Sequence, residues 1–257
     1  MNSCKEGGRV MENQLTELAC EAFCAEREWT LDGVPVLCAS VSLPRPLDRS
    51  SRTARRIDRF YQAQGRAYLQ YCGRILFPQA AAACREAMES SGPLPCCTAS
   101  LTYCVTCSGG GFWSLYTQTR ECVAGQAEVL RRGDVWDLRS GYPAALSAFF
   151  PPRFPIRRTL LAAAETEIRH QEESGSARYH DRWRQELRRT FSRDRFYLAP
   201  DGLRFFWQMN AIAPRAEGVP VFSLPFSPGG CRLPPPPPGL WSDPPGRAAR
   251  SGSGFFL

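Results

Sequence analysis

Residues 99–122 read ASLTYCVTCSGGGFWSLYTQTREC, and this stretch decides the fold class. Leu101, Tyr103 and Val105 alternate with Ser100, Thr102 and Cys104, a period of two that sends one side chain to a core and the next to water. Ser108-Gly109-Gly110-Gly111 supplies a glycine turn, and a second alternating run from Phe112 to Cys122 completes a β-hairpin. Another strand-like run, Ala127 to Leu138, leads into Ser140-Gly141-Tyr142-Pro143, so three antiparallel strands in a meander are expected.

Upstream of the hairpin, Ile57, Phe60, Tyr61, Ala67, Tyr68, Tyr71, Ile75 and Leu76 follow one helical face between Arg52 and Ser90. Pro78 is expected to break or kink this helix, and Ser91-Gly92-Pro93 to stop it. Val34 to Leu43 reads as a strand after the Asp32-Gly33 turn; Pro35 makes it an edge strand, or one that begins just after that residue. Leu15, Leu18, Ala19, Ala22 and Phe23 recur at three- and four-residue spacing, which predicts a short amphipathic helix over Glu12 to Arg27. Lys5-Glu6-Gly7, just before Met11, is what a purine-rich bacterial ribosome-binding site encodes when translated, so Met11 is the expected natural start.

Downstream, Pro155 to Phe191 reads as two helices divided at Ser174-Gly175-Ser176, with Ile156, Leu160, Leu161, Ile168, Trp183 and Leu187 as core positions. Short strands at Arg195 to Leu198 and Leu203 to Trp207 flank the Pro200-Asp201-Gly202 turn, and Val219 to Leu224 is extended. Beyond Phe226 proline, glycine and serine dominate, including five prolines from Pro234 to Pro238, so residues 227–257 are expected to be a disordered tail, solvated rather than a polyproline II ligand. The resulting organisation is an N-terminal segment with a short helix (1–29), one α+β domain (30–226, in parts 30–98 and 99–226) and the tail.

The 257 residues, 43% hydrophobic and 11% aromatic, are enough for one sizeable core. The net charge of +7 rests on arginine, with Lys5 the sole lysine, and the arginines are interleaved with Glu165, Glu167, Glu172, Glu173, Asp181 and Glu186. That pattern describes solvated helix faces rather than a nucleic-acid footprint. No apolar run reaches the roughly 18 residues of a membrane helix and the start does not resemble a secretory signal, so a cytoplasmic protein is expected, its twelve cysteines mostly free.

Cys96, Cys97, Cys104 and Cys107 are the one set with metal-ligand spacing, but residues three apart on a strand face opposite ways, so neither metal nor cofactor is expected. His170 and His180 read as exposed helix positions rather than catalytic bases. Asp134 and Asp137 bracket Trp136 near a strand end and read as exposed edge charges. Ser108 to Gly111 lacks the strand-to-helix context of a phosphate loop.

Two blocks carry a family resemblance. Phe196-Tyr197-Leu198-Ala199-Pro200-Asp201-Gly202-Leu203-Arg204-Phe205-Phe206, with Ile212-Ala213-Pro214 and Glu217-Gly218-Val219-Pro220-Val221-Phe222-Ser223-Leu224-Pro225, resembles the C-terminal signature of the RsiV-like family, domain of unknown function 3298. Asp134 to Pro143, followed by Leu146 and Phe149-Phe150, resembles the family's strand, turn and short-helix segment, so the likeness spans roughly 99–226. It assigns structural signature positions to Trp136, Gly141, Tyr142, Pro143, Phe196, Tyr197, Gly202, Pro214, Gly218, Pro220 and Pro225. Gly202 is expected to permit the tight turn and Gly218 to lie in an extended piece before Pro220. In the best-understood member of that family the domain is the outer, lysozyme-binding part of a membrane-anchored anti-sigma factor, and related domains accompany some cell-wall deacetylases. The family's Gly-Gly-Ala-His element is Val123-Ala124-Gly125-Gln126-Ala127 here, without the histidine, and neither a membrane helix nor a sigma-binding segment is read in the sequence, so lysozyme sensing and sigma-factor control are not carried over.

Together these readings predict a curved antiparallel sheet packed by helices, acting as a non-catalytic binding module for a protein or glycan-like ligand. The rivals are an enzyme or accessory domain acting on cell-envelope carbohydrate, marked by buried carboxylates in a cleft, and a nucleic-acid binder using Arg52, Arg55, Arg56 and Arg59.

Overall fold

A computed structural model describes residues 18–234. The Met11 start and the polyproline run from Pro235 onward lie outside them. The chain folds as one α+β domain around a sheet of order β1-β2-β3-β4-β5-β6, formed by Cys20–Leu31, Val34–Pro46, Cys97–Gly109, Phe112–Val123, Gln126–Asp137 and Tyr142–Pro143. All neighbours are antiparallel except β2 and β3, whose parallel pairing requires a long crossover. Helices α1 (Arg52–Tyr71) and α2 (Phe77–Glu89) supply it. Three hairpins turn on consecutive left-handed residues, Asp32-Gly33, Gly110-Gly111 and Ala124-Gly125, a backbone twist that matches right-handed strands.

A second sheet, β7-β8-β9 (Phe196–Ala199, Gly202–Phe206, Val221–Pro225), stacks on one face of β3–β5 together with α3 (Ile156–Ser174) and α4 (Trp183–Arg189). Two cores result. Between α1 and the large sheet lie Leu37, Ala39, Val41, Leu43, Ile57, Tyr61, Leu101, Trp113, Leu115 and Trp136. On the opposite face of β4–β5, Phe112, Val135, Leu160, Ile168, Leu187, Leu198, Phe205, Trp207 and Phe222 pack with the second sheet.

Four sequence expectations are corrected. The helix over Glu12 to Arg27 is strand β1 from Cys20 onward: as an edge strand it has Phe23, Ala25 and Trp29 half-buried on one side and Cys24, Glu26 and Glu28 in water on the other. Residues 20–29 thus belong to the same sheet as β2. Strand β2 lies inside the sheet; Pro35 is tolerated because pairing with β3 begins at Leu37 and its β1 partner, Thr30, sits at a register shift. Pro78 does not end the helix, because a π-helical turn over Cys72–Leu76 precedes it, with Phe77 N–H donating to Cys72 C=O, and widens the backbone where a proline ring would crowd the preceding turn. His180 is not helical; its N–H donates to Ile212 C=O ahead of α4. Of the expected tail, residues 227–234 are described and mostly exposed, with Cys231 buried and Arg232 N–H donating to Phe149 C=O.

Candidate functional site

Strand β5 organises the site. The backbone of Leu138 donates to Gly111, so in the register of β4 and β5 the N–H and C=O groups of residues 132, 134, 136 and 138 point at β4. Those of 131, 133, 135 and 137 point away, to the strand's outer edge. Arg131 is satisfied there by the Gln208 carboxamide, whose Oε1 accepts from the Arg131 N–H (2.9 Å) and whose Nε2 donates to the Arg131 C=O (2.6 Å). Val135 C=O accepts from Ala144 N–H at 2.7 Å, and Asp137 C=O from Gly141 N–H at 2.8 Å. Gly133, between them, has no hydrogen-bond partner on its outer edge among the described residues.

This open rung lies in a cleft of about 520 Å³, walled by Arg132, Pro143, Ala145, Ser192, Asp194 and Arg195. Glycine is required at 133 by the stacking of the sheets, because a Cβ there would fall 1.8 Å from the Phe196 carbonyl oxygen. Ser114 makes the adjoining contact, its Oγ accepting from Leu198 N–H at 2.7 Å.

Beneath the cleft, Asp134 is 5% exposed, against the expectation of an edge charge, because α1 covers its side of β5. Its Oδ2 accepts from Tyr61 Oη (3.2 Å), its Oδ1 from Arg132 Nε (3.0 Å), and Tyr61 Oη accepts from Trp136 Nε1 (3.0 Å). Burial raises the Asp134 carboxyl above the ordinary aspartate range, against the pull of Arg132 and the Tyr61 hydrogen bond. Burial also drives the Tyr61 phenol far up, reinforced by the neighbouring Asp134 charge. Asp137 is half-buried and accepts from Arg139.

The signature residues bracket this site without all entering it. Trp136 anchors the cluster, and Pro143 walls the cleft. Gly141, at φ +71°, sits so close to α1 that a Cβ would meet Thr53 Oγ1 at 2.7 Å; its C=O accepts from Arg56, which also lies over the Tyr142 ring. Phe196 and Tyr197 form the strand that crosses Gly133. Gly202 serves close approach rather than the turn, since its Cβ would fall 2.3 Å from Leu224 C=O and the turn is made by Pro200 and Asp201. Gly218 is left-handed at φ +70° after a 3-10 turn that follows Pro214; Pro220 C=O accepts from Trp207 N–H; Pro225 ends β9.

The other candidate groups lie elsewhere. Cys97 and Cys107 are on opposite faces of the large sheet, one in each core, while Cys96 and Cys104 are exposed. His170 is exposed on α3. Arg55, Arg56 and Arg59 spend hydrogen bonds on the chain's own carbonyls at Ser50, Gly141 and Arg55, which leaves Arg52 as the exposed remainder of that row. A second hollow, about 590 Å³, lies on the face of β1–β3 away from α1 and is lined by Glu26, Glu28, Cys38, Ser40, Thr98 and Ser100. No helix among the described residues is long and apolar enough to cross a membrane.

Residues 147–227 match a family model described as "Protein of unknown function (DUF3298)". No curated protein matches the sequence. A DUF3298 family member from Bacteroides fragilis superposes with a TM-score of 0.62 at 12% identity, over 82% of this chain and 92% of that one. A DUF3298 family protein from Pseudomonas aeruginosa superposes with a TM-score of 0.54 at 15% identity, over 85% of this chain and 98% of its own. At these identities the likeness is one of fold, and together with the family match it places a DUF3298 family domain in this chain at residues 147–227.

Proposed function

We propose that this protein is a non-catalytic binding domain whose ligand seats in the cleft along the outer edge of β5. The observation that carries this reading is the vacant rung at Gly133, which lies between the Arg131 rung, closed by Gln208, and the Val135 carbonyl, which accepts from Ala144. The cleft offers fixed backbone donors and acceptors beside a carboxylate and a guanidinium already paired with each other, which is equipment for holding a ligand rather than transforming it. Of the two carboxylates that line the cleft, Asp134 is buried and engaged by Tyr61 and Arg132, while Asp194 is exposed to water, which is not the pair of buried carboxylates expected of a carbohydrate-cleaving enzyme. The resemblance of 99–226 to the RsiV-like family, in one member of which the domain binds another protein, favours the same reading.

A fragment screen read by amide chemical shifts tests it. Fragments should cluster their shifts on Arg132, Gly133, Ala144 and Asp194, and Ala145→Trp, a substitution at an exposed extended residue on the cleft wall, should abolish them while leaving the rest of the spectrum in place. Shifts confined to Ser40, Thr98 and Ser100 would move the site to the other hollow, and chemical conversion of a bound fragment would replace binding by catalysis.

A further inference from the structure

We infer that the Gly133 rung is a peptide-backbone recognition site, taking one residue of a short extended peptide that adds to β5 as a strand about three residues long. The inference rests on the cleft being the binding site. Gln208 displays the required chemistry one rung away: a donor and an acceptor, presented together, close both backbone groups of Arg131. Gly133 presents the same N–H and C=O pair toward the outer edge, while the Phe196 backbone occupies the sheet face where a side chain would stand.

The geometry selects among ligands that carry amides. A secondary amide is trans, with its N–H and C=O on opposite sides, so an acetamido group on a sugar reaches only one of the two Gly133 groups. A peptide residue in extended conformation turns its own N–H and C=O to the same side, as in any antiparallel pair, and reaches both. Length is set by the chain's own closures. From Arg131 to Val135 is four residue steps, about 14 Å at the strand repeat, and the end rungs belong to Gln208 and Ala144. Three residues fit between, so the ligand is a chain end or a short peptide rather than the long strand of another sheet. The exposed Arg132 guanidinium stands beside this slot, already in partial use by Asp134, and favours an acidic flanking side chain in the peptide.

The experiment compares acetyl-Ala-Ala-Ala-amide with the analogue whose central alanine is lactate, an ester that lacks the N–H facing the Gly133 carbonyl. Titrations of the full-length protein would be followed at the Gly133 amide, with N-acetylglucosamine as a third probe. The tripeptide should shift and protect the Gly133 N–H saturably, and the ester should bind about fivefold or more weakly, the effect of leaving one acceptor unmatched. Equal affinities for amide and ester, or a sugar that binds as well as the peptide, would overturn backbone recognition while leaving the cleft as the binding site. Failure of every fragment and peptide to perturb the cleft would remove both readings.

Discussion

Strands β1–β3 and strands β3–β5 belong to one sheet, yet they live in different surroundings. The first set is covered on one face, by α1, and alternates Leu37, Ala39, Val41 and Leu43 inward with Cys38, Ser40 and Ser42 outward. The second is covered on both, so Phe112, Trp113, Ser114 and Leu115 are consecutive buried residues. Double coverage has a local consequence: where two sheets stack, Gly133 has no room for any side chain, and the small Ser114 side chain bonds directly to the facing strand. The same crowding brings the turn before β7 against the outer edge of β5, which creates the cleft. A candidate site therefore arises in the doubly covered half from packing, while the singly covered half leaves a shallow polar face.

Gly133→Ala breaks this comparison most severely. The new methyl meets a backbone carbonyl that cannot rotate away, so the sheets must part, and the loss should be about 3 kcal/mol in urea unfolding. Gly125→Ala is the control on an open turn: nothing lies within 4 Å of its Cβ, and the φ of +74° alone should cost about 1 kcal/mol. Equal losses at the two positions would show that the stacking at Gly133 is not tight.

Tyr61→Phe probes the other side of β5. It removes a hydroxyl that serves both Asp134 and Trp136, leaving a buried acceptor and a buried donor unmatched, for an expected loss of about 2 kcal/mol. A loss below about 0.5 kcal/mol would mean that water reaches the cluster from the cleft.

How much of this was legible in the sequence depended on range. The β3–β4 hairpin and the helix over 156–174 were readable because alternation, turn glycines and helical spacing are local signals. Strand β1 was not: an edge strand with one wet face has no clean apolar alternation, and Leu15, Leu18, Ala19, Ala22 and Phe23 happen to fit a helical template. The burial of Asp134 and the open rung at Gly133 depend on α1 some 70 residues earlier and on Gln208 about as far ahead, as the sequence separations of 73 and 77 for Tyr61–Asp134 and Arg131–Gln208 record. The signature residues Trp136 and Pro143 pointed at the right neighbourhood, but the glycine that matters for chemistry stood among the strand residues without a mark.

Asp134→Asn sharpens the comparison through pH. The folded protein holds the Asp134 proton more tightly than the unfolded chain, whose aspartate titrates near 3.9, so the wild type binds more protons when folded and loses stability as pH rises from that value through the raised folded value. The asparagine variant keeps an oxygen for Tyr61 and has no such proton. Its stability relative to wild type should therefore rise across that window and then level off, as measured by denaturation at a series of pH values. A flat difference would show that Asp134 is hydrated.

The smallest effects belong on the open face of β1–β3. Ser40 is exposed, and the Ser100 hydroxyl makes only a long 3.5 Å hydrogen bond to the Arg120 carbonyl, so Ser40→Ala and Ser100→Ala should each change stability by no more than about 0.5 kcal/mol. Water replaces whatever the hydroxyl leaves. At Ser114, the matching small residue of the doubly covered half, the same substitution strands the Leu198 N–H between two sheets and should cost about 1–3 kcal/mol. If the open-face serines proved as costly as Ser114, that face would have to be packed against protein, and the contrast between the two halves of the sheet would disappear.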